Sequence, residues 1–296
     1  MARVGSNGGG TMSAATQTVL VRRASLGASL REAASDAAPP VVALAIALVL
    51  WEGVVDLLRI PVYLLPAPSA IVGTLIKLIS AGFVPPTYVG APAEGILYDT
   101  FITFEEAMLG LVMGTVIGLV FAIVMVHSRF AEQALYPIIV TIRATPFIAI
   151  APVFIIWFGF TIMPKAVVAA LATFFPVLVN CITGMRSVDP TTLEFFHSVH
   201  ASKRDIFWHL RVPNTLPYFF AALRLNVSLS LIGAIVGELV GARDGLGHMI
   251  AEAAITLRTT DVFSGVIVLT VMGIVLTELV SFIQSRVLYW HETERA

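Results

Sequence analysis

Charged side chains are scarce here: they make up 12% of the 296 residues, against roughly 25% in a soluble domain. Hydrophobic residues account for 57% and the mean hydropathy is +0.90, so lipid is the solvent for most of the chain. The net charge of -1 and the lack of any basic run exclude a nucleic-acid groove. Cysteine is nearly absent. Cys181 stands alone in an apolar segment, which excludes intrachain disulfides and thiolate-metal clusters and leaves it as a small buried hydrophobe. A phosphate cradle is missing too. Gly8-Gly9-Gly10 lacks the Gly-Lys-Ser/Thr ending of a nucleotide loop, so any ATP that drives this protein binds to another subunit.

Long apolar runs are what the chain does have. A span needs about 20 such residues, and on that measure six helices are expected, near 41–58, 100–126, 132–158, 164–185, 214–240 and 262–288. The fold class is all-α, a polytopic membrane protein. The segment 64–82 opens Leu65-Pro66-Ala67-Pro68-Ser69, turns apolar at helical spacing and carries Lys77, so it reads as an interfacial helix. Residues 1–40 are rich in Gly, Ser, Ala and Thr and read as a disordered tail; 41–290 form the membrane domain and 291–296 a short C-terminal tail. Arg22, Arg23 and Arg31 precede an apolar run that continues through Trp51 and Glu52 to Leu58 with no small-x-small cleavage site, which points to an uncleaved first span.

Lys and Arg set the orientation. With the tail inside, eleven of the 18 lie in cytoplasmic segments, five (Arg59, Lys77, Lys165, Arg243, Arg258) in outer ones, and Arg143 and Arg224 within spans. Both termini and the segment 186–213 are therefore expected in the cytoplasm.

That inner segment is the longest polar-bearing stretch between apolar runs. Asp189-Pro190 has the form of an N-cap followed by proline at the first helical position. The helix it starts places Leu193, Phe196 and Val199 on one side. Ser202-Lys203-Arg204-Asp205 has the capping-box pattern and starts a second helix, expected to break at Pro213. Two short helices meeting near His200-Ala201 either dock on another protein or rest as an amphipathic hairpin on lipid. His197, His200 and His209 have no supporting carboxylate or cysteine set, so no metal site is read there. No nucleophile arrangement is evident anywhere, and the chain is read as not an enzyme.

Ionisable groups within spans face the bundle interior, a wet cavity or an interface, because a charge at the hydrocarbon centre costs at least about 2.5–3.5 kcal/mol. Glu52, Glu238 and Glu278 are of this kind. Arg143 precedes Thr145-Pro146, where proline kinks or interrupts the helix; Arg143, Thr145, Pro146 and Glu238 form the candidate pathway set. For Arg143 the alternative is a structural Arg-Glu pair. Arg224 is read as snorkelling, and Asn180 and Asn226 as interhelical hydrogen-bonding groups.

Glu194, His200, Leu210, Val212 and Pro213 fall at the spacing of E-A-A-x3-G-x9-I-x-L-P, and the sequence resembles the ABC importer permeases that carry this signature. Ile142-Arg143-Ala144-Thr145-Pro146-Phe147 through Trp157-Phe158-Gly159, and Val236-Gly237-Glu238-Leu239-Val240-Gly241-Ala242 through Gly245-Leu246-Gly247, resemble the nitrate, sulfonate and taurine branch. The likeness covers about 41–290. It implies a type I importer architecture with cytoplasmic coupling helices in a loop spanning 189–213. Glu194, Phe195, Phe196, His200, Ala201, Leu210, Val212 and Pro213 would dock an ATPase subunit, with Phe195 and Phe196 replacing the alanines and His200 the glycine. It further implies two ATPase subunits carrying ATP and Mg, a second permease copy, an extracytoplasmic solute-binding protein, and no cofactor on this chain. The solutes of such permeases include nitrate, sulfonates, taurine, pyrimidine precursors and riboflavin. The main alternative is a secondary transporter in which Glu52, Glu238 and Glu278 bind ions. An intramembrane enzyme would need paired catalytic groups within spans, and none is seen.

Overall fold

The computed structural model describes residues 39–83 and 95–289 and contains helices and no strand among them. Of the expected tails, 291–296 lies outside the described residues. So does 1–40, save for Pro39 and Pro40, which open the first helix. That helix, α1 (Pro39–Leu57), belongs to a separate compact unit ending at Ile60. The second unit, from Pro61 onward, holds the remaining helices.

In the second unit α2 spans Pro68–Ser80, α3 Ile96–His127, α4 Arg129–Ala144, α5 Phe147–Phe158 and α6 Ile162–Arg186. After these come α7 (Pro190–Ser198), α8 (Lys203–Ile206), a π-helical turn (Phe207–Arg211), α9 (Val212–Gly241), α10 (Leu246–Ile255) and α11 (Thr259–Val287). Helices α1, α3, α6, the run Lys203–Gly241 and α11 are long and apolar enough to span a membrane. The pair α4 and α5 makes a sixth span if counted together. The segment expected as one span over 132–158 is thus two helices meeting at 100°. Pro146 lacks the N–H that would continue α4, and Thr145 before it takes an extended ψ of 127°. The expected interfacial helix is α2. Helix α10 was not expected, since ten residues between spans fall below the length a hydropathy reading detects.

Helices α3, α6 and α9 pack along one another and form the core. Gly110, Gly114 and Gly118 recur every fourth residue on α3, so they share one face. A Cβ at Gly110 would overlap Ala169, and one at Gly114 would overlap Thr173 and Ala170, so the α3 and α6 backbones approach as only small residues permit. Asn226 on α9 donates to the Thr173 carbonyl on α6 at 2.8 Å, the interhelical bond expected of it. Asn180 differs: it donates to Pro176 in its own helix. Ala107, Leu111, Val227, Leu231 and Leu276 fill the core toward α11. Ala122, Met125, Val177, Leu178 and Cys181 fill it between α3 and α6. Cys181 is buried there as a free thiol.

Candidate functional site

Asp189 caps α7 as its type predicts. Its Oδ2 accepts the Thr192 backbone N–H and the Thr192 hydroxyl, each at 3.0 Å, and Pro190 occupies the first helical turn. These bonds, the backbone one foremost, hold the Asp189 carboxyl below its ordinary value. Helix α7 ends in a Schellman motif. The Ala201 N–H donates to the Phe196 carbonyl and the His200 N–H to the His197 carbonyl, both at 3.0 Å, while His200 takes φ 55°. This left-handed position favours glycine, and the signature has glycine there. Ser202 and Asp205 then close a capping box at the start of α8.

Pro213 does not break the second helix. The π-helical turn places it at the start of α9, where its missing N–H is tolerated, and the helix continues without a gap to Gly241. The base of the loop is fastened. Asn214 donates to the Gly184 carbonyl and the Ser187 hydroxyl at 2.9 Å, the Phe207 ring packs edge-on to His127 at 5.0 Å, and Arg186 pairs with Glu132 at 2.8 Å. Exposure divides the signature residues. Glu194, Phe195 and His200 are exposed, whereas Phe196, Ala201, Leu210, Val212 and Pro213 are half-buried. Phe195 meets the Phe196 ring edge-on at 6.2 Å yet keeps 62% of its surface accessible, so α7 offers an exposed aromatic side chain.

The break between α4 and α5 opens a second site. Arg143, Thr145 and Asn180 line a cavity of about 340 Å3 with Leu171, Phe175 and Val179 of α6. Arg143 is exposed at the end of α4 and makes no ion pair with a described residue, which disfavours the Arg-Glu alternative. The N-terminus of α5, with its positive dipole end, starts beside it.

Glu238 does not line this cavity. It is buried at the far end of α9, where its Oε1 accepts the Thr103 hydroxyl at 2.6 Å and its Oε2 accepts the Gly247 N–H. Next to it, Lys165 pairs with Glu106 at 2.8 Å, with side chains only 7% and 1% exposed. Lys165 is therefore no outer-loop charge. It belongs to α6, and a Cβ on Gly237 of α9 would press against it. Asp99, Thr103 and Glu106 escaped sequence reasoning. Their spacing of four and three, which puts all three on one face of α3, was the signal available. No His, Cys, Asp or Glu group suited to a metal occurs among the described residues.

Residues 114–288 match the family described as binding-protein-dependent transport system inner membrane component. The formylaminopyrimidine transport permease protein ThiX of Halalkalibacterium halodurans is 34% identical over 247 residues, 83% of this chain and 93% of that protein. A putative aliphatic sulfonates transport permease protein, SsuC of Bacillus subtilis, is 30% identical over 254 residues, 84% of this chain and 86% of its own. Among solved structures, an amino acid ABC transporter crystallised with histidines shares the fold, with a TM-score of 0.55 at 18% identity over 64% of this chain and 93% of that one. Such membership decides against an ion-driven secondary carrier. The chain belongs to the family of binding-protein-dependent transport system inner membrane components, as an ABC importer permease of the sulfonate and taurine branch.

Proposed function

We propose that this permease couples ATP hydrolysis on separate ATPase subunits to uptake of a small solute handed over by an extracytoplasmic binding protein. The observation that carries this reading is α7, a capped helix at the signature spacing whose Glu194 and Phe195 stand exposed. Helix α7 docks in the ATPase, and the half-buried Leu210, Val212 and Pro213 root it in α9. ATP and Mg reside on the partners and this chain holds no cofactor. With one docking loop per chain, two copies form the transport unit. Both termini face the cytoplasm. Removing buried Lys165 from the outer charges strengthens the asymmetry that supports this orientation.

Arg143, Thr145 and Pro146 line the route across the membrane. ThiX is named for formylaminopyrimidine and SsuC for aliphatic sulfonates. The Arg143 guanidinium, with no ion-pair partner among the described residues and close in sequence to the α5 N-terminus, favours the anionic end of that range, a sulfonate. Co-expression with the cognate ATPase tests the docking: Glu194→Arg should weaken the recovered complex, and an unchanged complex would count against α7. Uptake in vesicles tests the energy source, since uptake indifferent to ATP and abolished by an ionophore would sink the reading. A screen of the binding protein against sulfonates and aminopyrimidines tests the solute class.

A further inference from the structure

The connection between α9 and α10 is held from beneath by buried side chains of α3 and α9. The Gly245 N–H donates to Asp99 Oδ1 at 2.8 Å, the Leu246 N–H to Thr103 Oγ1 at 2.8 Å, and the Gly247 N–H to Glu238 Oε2. Thr103 in turn donates to Glu238 Oε1. The first N–H groups of any helix lack intrahelical acceptors. Here three successive ones at the start of α10 are taken up by two residues of α3 and one of α9. All three acceptor residues are buried, with exposures of 5% for Asp99, 0% for Thr103 and 1% for Glu238. Glycine is required for the fit: Gly245 has φ +106°, and a Cβ at Gly245 or Gly247 would run into the Glu238 carboxylate. Two residues before Gly245, Arg243 is exposed, its guanidinium 5.5 Å over the Phe160 ring.

A surface loop usually follows its own motions, because its backbone bonds to water. This one is tied through buried hydrogen bonds to two core helices at once. A force on Arg243 or on the exposed end of α10 at Ile255 passes to α3 and α9 with little slack.

We infer that Asp99, Thr103 and Glu238 are positioning residues that clamp the start of α10 to α3 and α9, so that docking of the binding protein on the α9–α10 surface is transmitted to the core helices. This rests on the importer reading above.

The test uses the full permease with its ATPase in liposomes, with and without the binding protein. Thr103→Val removes both hydrogen bonds without changing shape, and Thr103→Ser keeps them. Thr103→Val should leave basal ATP hydrolysis within about twofold of wild type and lower the stimulated rate at least tenfold, with Thr103→Ser near wild type. A purely structural role would move basal and stimulated rates together. Amide hydrogen exchange supplies the second readout, with Asp99→Leu and Asp99→Asn as a further pair, since Asn retains the acceptor. Exchange at Gly245, Leu246 and Gly247 should quicken at least tenfold in Thr103→Val and Asp99→Leu, and stay slow in Thr103→Ser and Asp99→Asn. Full stimulation in Thr103→Val, or unchanged exchange in both disruptive variants, would overturn the clamp. If the wild type is not stimulated by the binding protein, the importer reading fails instead, and the exchange arm still decides the clamp.

Discussion

Lys165 on α6 and Glu106 on α3 form an ion pair 2.8 Å long, with side chains 7% and 1% exposed. Both charges left water on folding, so their mutual attraction is largely offset by desolvation, while either one alone would be a bare charge in a dry site. Lys165→Met is expected to cost about 3–5 kcal/mol, seen as a fall of roughly 10 °C in the melting temperature of purified permease. Lys165→Met combined with Glu106→Leu should recover most of that loss. A double variant as unstable as the single one would refute this account of the pair.

Packing of α3 on α6 predicts opposite signs for one substitution at two helical glycines. Gly73 on α2 has nothing within 4 Å of where a Cβ would sit, so Gly73→Ala gains about 0.5–1 kcal/mol of backbone entropy. At Gly114 the same methyl overlaps Thr173 and Ala170 and forces the helices apart, at a cost of about 1–3 kcal/mol. Thermal unfolding of the two alanine variants should move in opposite directions.

His200 keeps the left-handed backbone of the glycine it replaces. Its φ of 55° costs roughly 1–2 kcal/mol for a residue with a Cβ. His200→Gly should therefore slow exchange of the Ala201 amide, whose bond to Phe196 closes the helix end. His200→Val, β-branched, should speed it.

The cap at Asp189 has a definite pH sign. Its folded carboxyl lies below the ordinary value, so the stabilisation of α7 is complete above about pH 4, the unfolded range. It is lost as pH falls through the lower folded value. The Thr192 amide resonance should titrate in that acid window in the wild type and stay flat in Asp189→Asn.

Most of the membrane architecture was legible in residue type alone, because a span announces itself by length and by lack of charge. Asp189-Pro190 and Ser202 to Asp205 also read correctly, since a cap is written in residues three apart. Pro213 misled because a π-helical turn, which only tertiary packing reveals, absorbs it into the start of a helix. Lys165 misled for a related reason. A lysine near a helix start reads as an outer charge until its partner is known, and Glu106 is far away in sequence. The acceptors of the α10 amides were hidden likewise, since Asp99 and Gly245 meet only through the fold.

The helical run from Lys203 to Gly241 holds 39 residues without a gap. At 1.5 Å per residue that is a rod of about 58 Å, with the signature loop at one end and the Glu238 cluster at the other. Tilting such a rod by about 5° about one tip carries the other through about 5 Å, roughly one helical pitch. A small angular play at the signature-loop end is thereby geared up to the scale of a small solute at the Glu238 end.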